Sequence, residues 1–304
     1  MNLVIVVNQK YVKYVCVMLN SLFESNKGAH TIYILYEEID EKSIEQINRF
    51  VERKGSKSIW IHEDSQKYRK FPMWKNWSYE TYFILRAHEL LPNDLERILY
   101  LDIDLIVMDS LEKLYNLDFE DNYIAARKTI LDKGDAVELY KEGKTFLNSG
   151  VILFNLKKMR KEICFDDFLV AAEKMKYSFY MDEALLSYVM YGKVCFIERK
   201  YNYWLDDNCD QSGDAVIIHY ICPEHPYKPW DLYFTNEELD LLSELKQNPV
   251  FRVNSSINRL IGLWWKHVYN VPFSECILEE ANAKKEWFIR SLYDFIISQI
   301  VDKK

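Results

Sequence analysis

Short apolar runs alternate with amphipathic stretches through the first third of the chain. Residues 3–7, 31–36, 58–61 and 98–101 are compact and rich in Val, Ile and Leu, and they read as buried strands. Between them, Val15, Val17, Leu19 and Leu22 give residues 12–23 a helical pattern. Asp40 opens a helix carrying Ile44, Ile47 and Val51, and residues 79–91 read as a helix halted at Pro92. This alternation implies an α/β fold with a mostly parallel sheet and helices on both faces.

Beyond the fourth strand the rhythm loosens. Residues 146–155 read as a turn entering a strand, 165–176 and 182–191 as helices, and 194–197 and 216–219 as short strands. From about residue 231 the pattern becomes helical, over 237–246, 256–269 and 279–301. No internal repeat, low-complexity tract or long linker interrupts it. The expected division is a nucleotide-binding half (1–110), an acceptor-side half (111–231) and a helical C-terminal extension (232–304).

One run carries chemistry. Residues 98–107 read Ile-Leu-Tyr-Leu-Asp-Ile-Asp-Leu-Ile-Val, a buried-strand pattern broken by Asp102 and Asp104 around Ile103. In an extended segment, residues two apart face the same way, so both carboxylates can meet one object. Left unpaired at the end of a buried strand they would be costly. A hard divalent cation, Mg²⁺ or Mn²⁺, offsets that cost. Open α/β sheets bind ligands beyond the carboxyl ends of their strands, which makes a metal–diphosphate site the first expectation. A bare Asp-x-Asp also occurs as a capped turn, so other segments must agree.

Composition narrows the classes. Hydrophobic residues make up 49% of the 304, enough for a sizeable core. The net charge of −8, with no basic stripe, argues against nucleic acid as the main partner. The 22 Tyr and 8 Trp suit sugar-like ligands, although most such rings simply pack cores. The six cysteines form no C-x-x-C pair and are mostly flanked by apolar residues, which reads as reduced, buried thiols in a cytoplasmic setting without structural zinc. The opening residues lack a basic segment and a long apolar run, so no signal peptide is expected there. No stretch has the apolar length of a membrane span.

Three further segments join the acidic pair. Asn148, in Leu-Asn-Ser-Gly-Val, can donate to and accept from a sugar hydroxyl, with Ser149 beside it, and Gly150 permits close backbone approach. In Tyr-Met-Asp-Glu-Ala, Asp182 would cap a helix while Glu183 projects towards a site; acids favoured by a helix start are the ordinary alternative. His219 ends an apolar strand as a candidate metal ligand, and Lys228, in a proline-braced Lys-Pro-Trp loop, could neutralise phosphate.

Taken in order, Leu-Tyr-Leu-Asp-Ile-Asp, Leu-Asn-Ser-Gly-Val-Ile-Leu-Phe-Asn-Leu-Lys-Lys, and His-Tyr followed by Lys-Pro-Trp resemble glycosyltransferase family 8. That family includes bacterial lipopolysaccharide galactosyl- and glucosyltransferases and glycogenin. The resemblance covers roughly residues 1–231. It implies a GT-A fold, a UDP-sugar donor, Mn²⁺ (or Mg²⁺) and transfer of a hexose with retention of configuration to a glycan or glycolipid acceptor. By the same resemblance Asp102, Asp104 and His219 hold the metal, with Ile103 between them in the donor site. Lys228 contacts the diphosphate, and Asn148, Ser149 and Gly150 line the sugar pocket. Val7, Asn8 and Tyr11 hold the uracil end. Asp182 binds donor hydroxyls, and Glu183 lies near the reacting carbon.

Several positions depart from the family pattern. Ile84 stands where the family usually has Arg, Asn8 where it often has Asp, and Glu183 where it commonly has Gln. The interval from His219 to Lys228 is nine residues where six is usual. Two rivals follow. One is a phosphatase of the haloacid dehalogenase type, with Asp206 and Asp207 as its second acidic pair. The other is a catalytically weak, carbohydrate-binding relative of a transferase. Residues 251–268 mix Arg252, Arg259 and Lys266 with Trp264 and Trp265, a composition for peripheral contact with the inner membrane face or for packing on the catalytic unit.

Overall fold

The structure is a computed structural model. It describes residues 1–73, 77–129, 145–174, 180–205, 213–221, 228–231, 238 and 255–301, with only the backbone considered at 255–258 and 291–301. The helix expected over 237–246 falls almost entirely outside these residues, as do Asp206, Asp207, Cys209 and Cys222.

The strands are β1 (Asn2–Val6), β2 (Thr31–Tyr36), β3 (Lys57–His62), β4 (Ile98–Leu101), β5 (Leu105–Val107), β6 (Ile124–Thr129), β7 (Phe146–Phe154), β8 (Val194–Phe196), β9 (Tyr203–Trp204) and β10 (Ile217–His219). Seven of them form one sheet in the order β3-β2-β1-β4-β7-β6-β8. β1 runs parallel to both β2 and β4, and β2 runs parallel to β3, as the strand–helix alternation requires. β7 is antiparallel to both β4 and β6. A second sheet, β5-β10-β9, stands beside it.

Both faces of the large sheet are covered, which is why its strands read as continuous apolar runs. Alternate residues serve different cores. Leu3 and Ile5, Leu99 and Leu101, and Val151 and Leu153 face α1 (Val12–Ser25) and α2 (Glu41–Arg53). Val4, Ile98, Tyr100, Ile152 and Phe154 face the opposite core, with Tyr82, Phe83 and the helix Met181–Val189. Asp40 caps α2 as expected, its side chain accepting from the Ser43 amide. Residues 79–91 are not one helix: a tight 3₁₀ segment, Tyr79–Arg86, leads into a single α-turn, Ala87–Leu90.

The helical extension shares the first core. Leu260, Ile261, Trp264, Val268 and Ile277 pack with residues of α1, and the Trp264 ring lies 6.1 Å from Tyr14 and 5.9 Å from Trp230. Trp264 is fully buried and Trp265 is 7% exposed, so neither indole is available to a lipid surface. Among the described residues no helix is long and apolar enough to cross a membrane. Among the four described cysteines the buried-thiol reading holds for Cys16 alone, since Cys164 and Cys276 are exposed and Cys195 is partly so. Removing a core indole leaves a large void, so Trp264→Ala is expected to destabilise the protein by about 3–5 kcal/mol. A lowered urea midpoint with unchanged slope would register it.

Candidate active site

The acidic pair sits where the chain changes sheets. β4 ends at Leu101 in the large sheet, and Leu105 begins β5 in the small one. Residues 102–104 form the bend between them, so the carboxylates converge through that bend rather than along one straight strand. β10 pairs antiparallel with β5, opposing His219 to Leu105. The His219 Nε2 atom therefore lies 3.2 Å from an Asp104 carboxylate oxygen and 3.5 Å from one of Asp102. One donor atom from each of the three lies within 4.8 Å of the others.

The Asn148-Ser149-Gly150 segment is not a turn. All three residues lie inside β7, which is buried along its whole length between β4 and β6. The β6–β7 register nevertheless shifts here: Ala126 faces Ile152 but Arg127 faces Asn148, so the extra residues, 149–151, lie on β7. Gly150 is needed for space. A Cβ at that position would sit 2.2 Å from the His219 ring and 3.0 Å from an Asp102 oxygen. Its carbonyl also accepts the Asp102 amide at 2.9 Å.

Two more carboxylates enter from the helix Met181–Val189. Met181 takes a left-handed backbone with φ 38°, a conformation that costs a non-glycine residue roughly 1–3 kcal/mol. Asp182 does not cap this helix, whose N-cap is Tyr180 with no side-chain bond. Instead Asp182 accepts from the Thr81 hydroxyl at 3.3 Å. Glu183 Oε1 accepts from Asn148 Nδ2 at 2.5 Å and from the Ser149 amide at 3.2 Å.

The acids differ electrically. Burial, then the charge of Asp104, raises the Asp102 pKa, against partial relief from His219 and from Tyr100, whose hydroxyl donates to it at 2.5 Å. Burial also works against Asp104, but Lys228 and His219 outweigh it and hold Asp104 well below the usual range. Lys228 donates to Asp104, and although burial opposes its charge, Asp104 and Asp102 keep its pKa above the ordinary value. Burial lifts Asp182 to about 7 and, with the charge of Asp182, lifts Glu183 well above its usual value.

Lys228 belongs to a short segment clasped from two sides. Its backbone N–H donates to Asp231 at 3.0 Å, and Lys284 of the terminal helix Ser274–Val301 donates to the other Asp231 oxygen at 2.5 Å. Trp230 stacks on Tyr14 of α1 with centroids 4.0 Å apart and planes at 9°. The ion pair is partly exposed and worth at most about 1 kcal/mol, so the buried stack is the firmer anchor.

At the end of β1, Val7 is buried and its amide donates to the Leu35 carbonyl. Asn8 uses its side-chain carbonyl to accept the Tyr11 amide at 3.3 Å and its NH₂ to donate to Ser78 at 3.1 Å. Tyr11 lies 6.0 Å from Trp230, linking this end to the Lys228 segment. Ile103 is partly buried against the first core. Ile84 is fully buried, and Arg86 pairs with Glu63 and Glu89, so Arg86 does not stand in for the missing arginine.

Sequence reasoning passed over Tyr100, Thr81, Asn202 and Trp204. Asn202 is fully buried and bonds both His219 and Asn148, at 3.0 and 2.6 Å. Its signal was a polar amide inside the apolar run Tyr-Asn-Tyr-Trp, since a buried amide needs partners.

A cluster of hard oxygen donors with one imidazole, on a sheet entered through parallel β-α units, is an arrangement that can hold a divalent cation. The chain belongs to glycosyltransferase family 8, whose model matches residues 2–232. It is 25% identical to the lipopolysaccharide 1,3-galactosyltransferase of Salmonella typhimurium, over 70% of this chain and 68% of that protein. It is 24% identical to a lipopolysaccharide 1,2-glucosyltransferase of Escherichia coli, over 75% of this chain and 73% of that one. The crystal structure of the galactosyltransferase LgtC with donor and acceptor sugar analogs superposes with a TM-score of 0.66 at 24% identity, covering 81% of this chain and 95% of that one. An active-site variant of LgtC carrying Glu in place of Gln superposes with a TM-score of 0.68 at 23% identity, covering 85% and 99%. The fold is GT-A, and the family match removes the phosphatase reading.

The raised Asp182 pKa has a consequence for stability. Between the ordinary carboxylate value of 3.8 and the folded value of about 7, the folded state keeps a proton that the unfolded state has released. Stability therefore falls as pH rises through that window and levels off above it. Asp182→Asn removes this contribution. Thermal midpoints of the metal-free protein and this variant, measured from pH 4 to pH 8, should diverge in the variant's favour as pH rises; parallel curves would contradict the assignment.

Proposed function

We propose that this glycosyltransferase moves a hexose, glucose or galactose, from a UDP-sugar to a glycan or glycolipid acceptor with retention of configuration. Residues 1–231 form the donor-handling unit, and the described helices of the extension brace it. The observation that carries it is the convergence of Asp102, Asp104 and His219 beside Lys228, in a chain of family 8. Relatives named as lipopolysaccharide galactosyl- and glucosyltransferases support a hexose donor and a cell-surface glycolipid acceptor. They also fit synthesis on the cytoplasmic side of the membrane.

The three donors suit Mn²⁺ or Mg²⁺, with two carboxylates and one imidazole within reach of a single ion and no Cβ at Gly150 to intrude. Such an ion supplies Lewis-acid stabilisation of the charge that develops on the leaving diphosphate. Lys228 adds its own positive charge on that side. Val7, Asn8 and Tyr11 hold the base, Asn148, Ser149 and Gly150 line the sugar pocket, and Asp182 binds donor hydroxyls. Glu183 is held by two donors, and burial lifts its pKa well above the usual value, which weakens it as a nucleophile. A same-face route, with acceptor entering beside departing UDP, therefore fits better than a covalent intermediate on Glu183.

Turnover of a panel of UDP-sugars, with and without EDTA, tests the reading. One UDP-hexose should be consumed only with Mn²⁺ or Mg²⁺, and Asp104→Ala should lose on the order of 10²–10³ in rate or more while staying folded. Full activity in EDTA would refute the metal assignment. Gly150→Ala should drive the His219 ring aside and weaken Mn²⁺ binding by about 10–100-fold, as loss of an outer support does at metal sites; calorimetry reads it directly. Glu183→Gln preserves an oxygen for both donors and should keep measurable, retaining transfer. Its complete inactivity, with a glycosyl adduct on wild-type Glu183 found by mass spectrometry, would establish the covalent route instead.

A further inference from the structure

Two N–H groups that can only donate decide where the His219 proton sits. The first is the Trp204 indole, whose Nε1 lies 3.1 Å from Asn202 Oδ1. An indole has no acceptor, so the atom facing it is the amide oxygen. The second is the Gly150 amide, which donates to Asn148 Oδ1 at 3.1 Å. That fixes the Asn148 oxygen as an acceptor, so the Asn202 atom 2.6 Å from it must be the NH₂ group. The Trp204 and Gly150 ends of this hydrogen-bonded series orient the Asn202 amide the same way, independently.

The orientation has one outcome at His219. Its Nδ1 lies 3.0 Å from Asn202 Oδ1, an atom now committed as acceptor, so Nδ1 must carry a proton. Nε2 is then the ring atom free to give a lone pair, and it faces Asp102 and Asp104. The carboxylates by themselves favour the opposite choice, since a proton on Nε2 would donate to them. Such a neutral tautomer offers a metal no lone pair on that side. We propose that Asn202, oriented by Trp204 and by the Asn148–Gly150 pair, is the positioning residue that holds the proton on Nδ1 and keeps Nε2 for the metal. Nothing in the side-chain pattern of the ligands themselves supplies this selection. The Arg127 guanidinium, 3.8 Å from the Trp204 ring and bonded to the Asn202 carbonyl at 2.6 Å, holds the pair in place.

This inference rests on the metal reading above, and its test separates the two. The protein is labelled with ¹⁵N-histidine and loaded with ¹¹³Cd²⁺, a diamagnetic ion that couples to the nitrogen it binds. The His219 signals are identified by their loss in His219→Ala. Cadmium coupling at Nε2 with a proton on Nδ1 is expected; cadmium at Nδ1 overturns the proposal. By calorimetry, Asn202→Leu should weaken Mn²⁺ binding by about 10–100-fold, and Trp204→Phe, which keeps a ring beneath Arg127 and leaves the Gly150 lock intact, by a smaller factor. Wild-type affinity in folded Asn202→Leu also overturns it. Should Asn202→Leu fail to fold, Trp204→Phe and the wild-type spectrum decide. A wild-type chain that binds no divalent ion refutes the metal reading alone. The Nδ1 proton is then sought in the metal-free spectrum, where its presence upholds the placement by Asn202 and its absence ends it.

Discussion

The site depends on one close approach. At Gly150 the backbone of β7 comes so near to the His219 ring and the Asp102 carboxylate that no side chain fits between them. The same residue holds Asp102 through its carbonyl and Asn148 through its amide. A strand of the large sheet, a strand of the small sheet and the bend that joins the two sheets are thereby fixed to one another. The β4–β7 pairing brings Leu101 opposite Val151, which puts Gly150 at the mouth of the bend. The clustered side chains, carried by distant parts of the chain, inherit the rigidity of a buried sheet rather than of a loop.

The pocket is expensive to maintain. Asp102, Asp104, Asp182 and Glu183 share it, and among the described residues only Asp104 has a full cationic partner, Lys228. The other three are held above their usual pKa values chiefly by burial. Structures tolerate such crowding where the charge is needed for a ligand that arrives later. A cation and polar sugar hydroxyls are the kinds of partner that would relieve it.

Local pattern was enough to place the parallel half of the sheet, because strands buried on both faces must be apolar throughout and their helices must be amphipathic. The Asp pair stood out for the same reason, as charge inside an apolar run. Asn148, Ser149 and Gly150 misread as a turn, since Asn-Ser-Gly is turn-like in composition and the cause of its strand geometry, packing between β4 and β6, lies far away in sequence. Asp182 misread as a cap because a helix-starting acid resembles one locally, while its actual partner Thr81 is supplied by a distant segment. Trp264 and Trp265 left membrane contact and internal packing both open because an indole pattern does not state which surface it faces; packing against Tyr14 of α1 and Trp230 decides for the latter. Asn202 was missed because its role exists only through four neighbours, Arg127, Asn148, Trp204 and His219, drawn from four strands.

The clasp around Lys228 bears on how such a chain can change. Trp230 is stacked against the first helix, and Asp231 is held by a lysine of the last one. The final helix is therefore not an exchangeable appendage. A chimera that replaces residues from 255 onward with those of a relative also replaces Trp264 and Lys284, the tail's partners for Tyr14, Trp230 and Asp231. Grafting a new terminus alters the footing of the lysine beside the acidic cluster unless Tyr14, Trp230 and Asp231 are transplanted as a set. The two ends of the chain are bound to vary together.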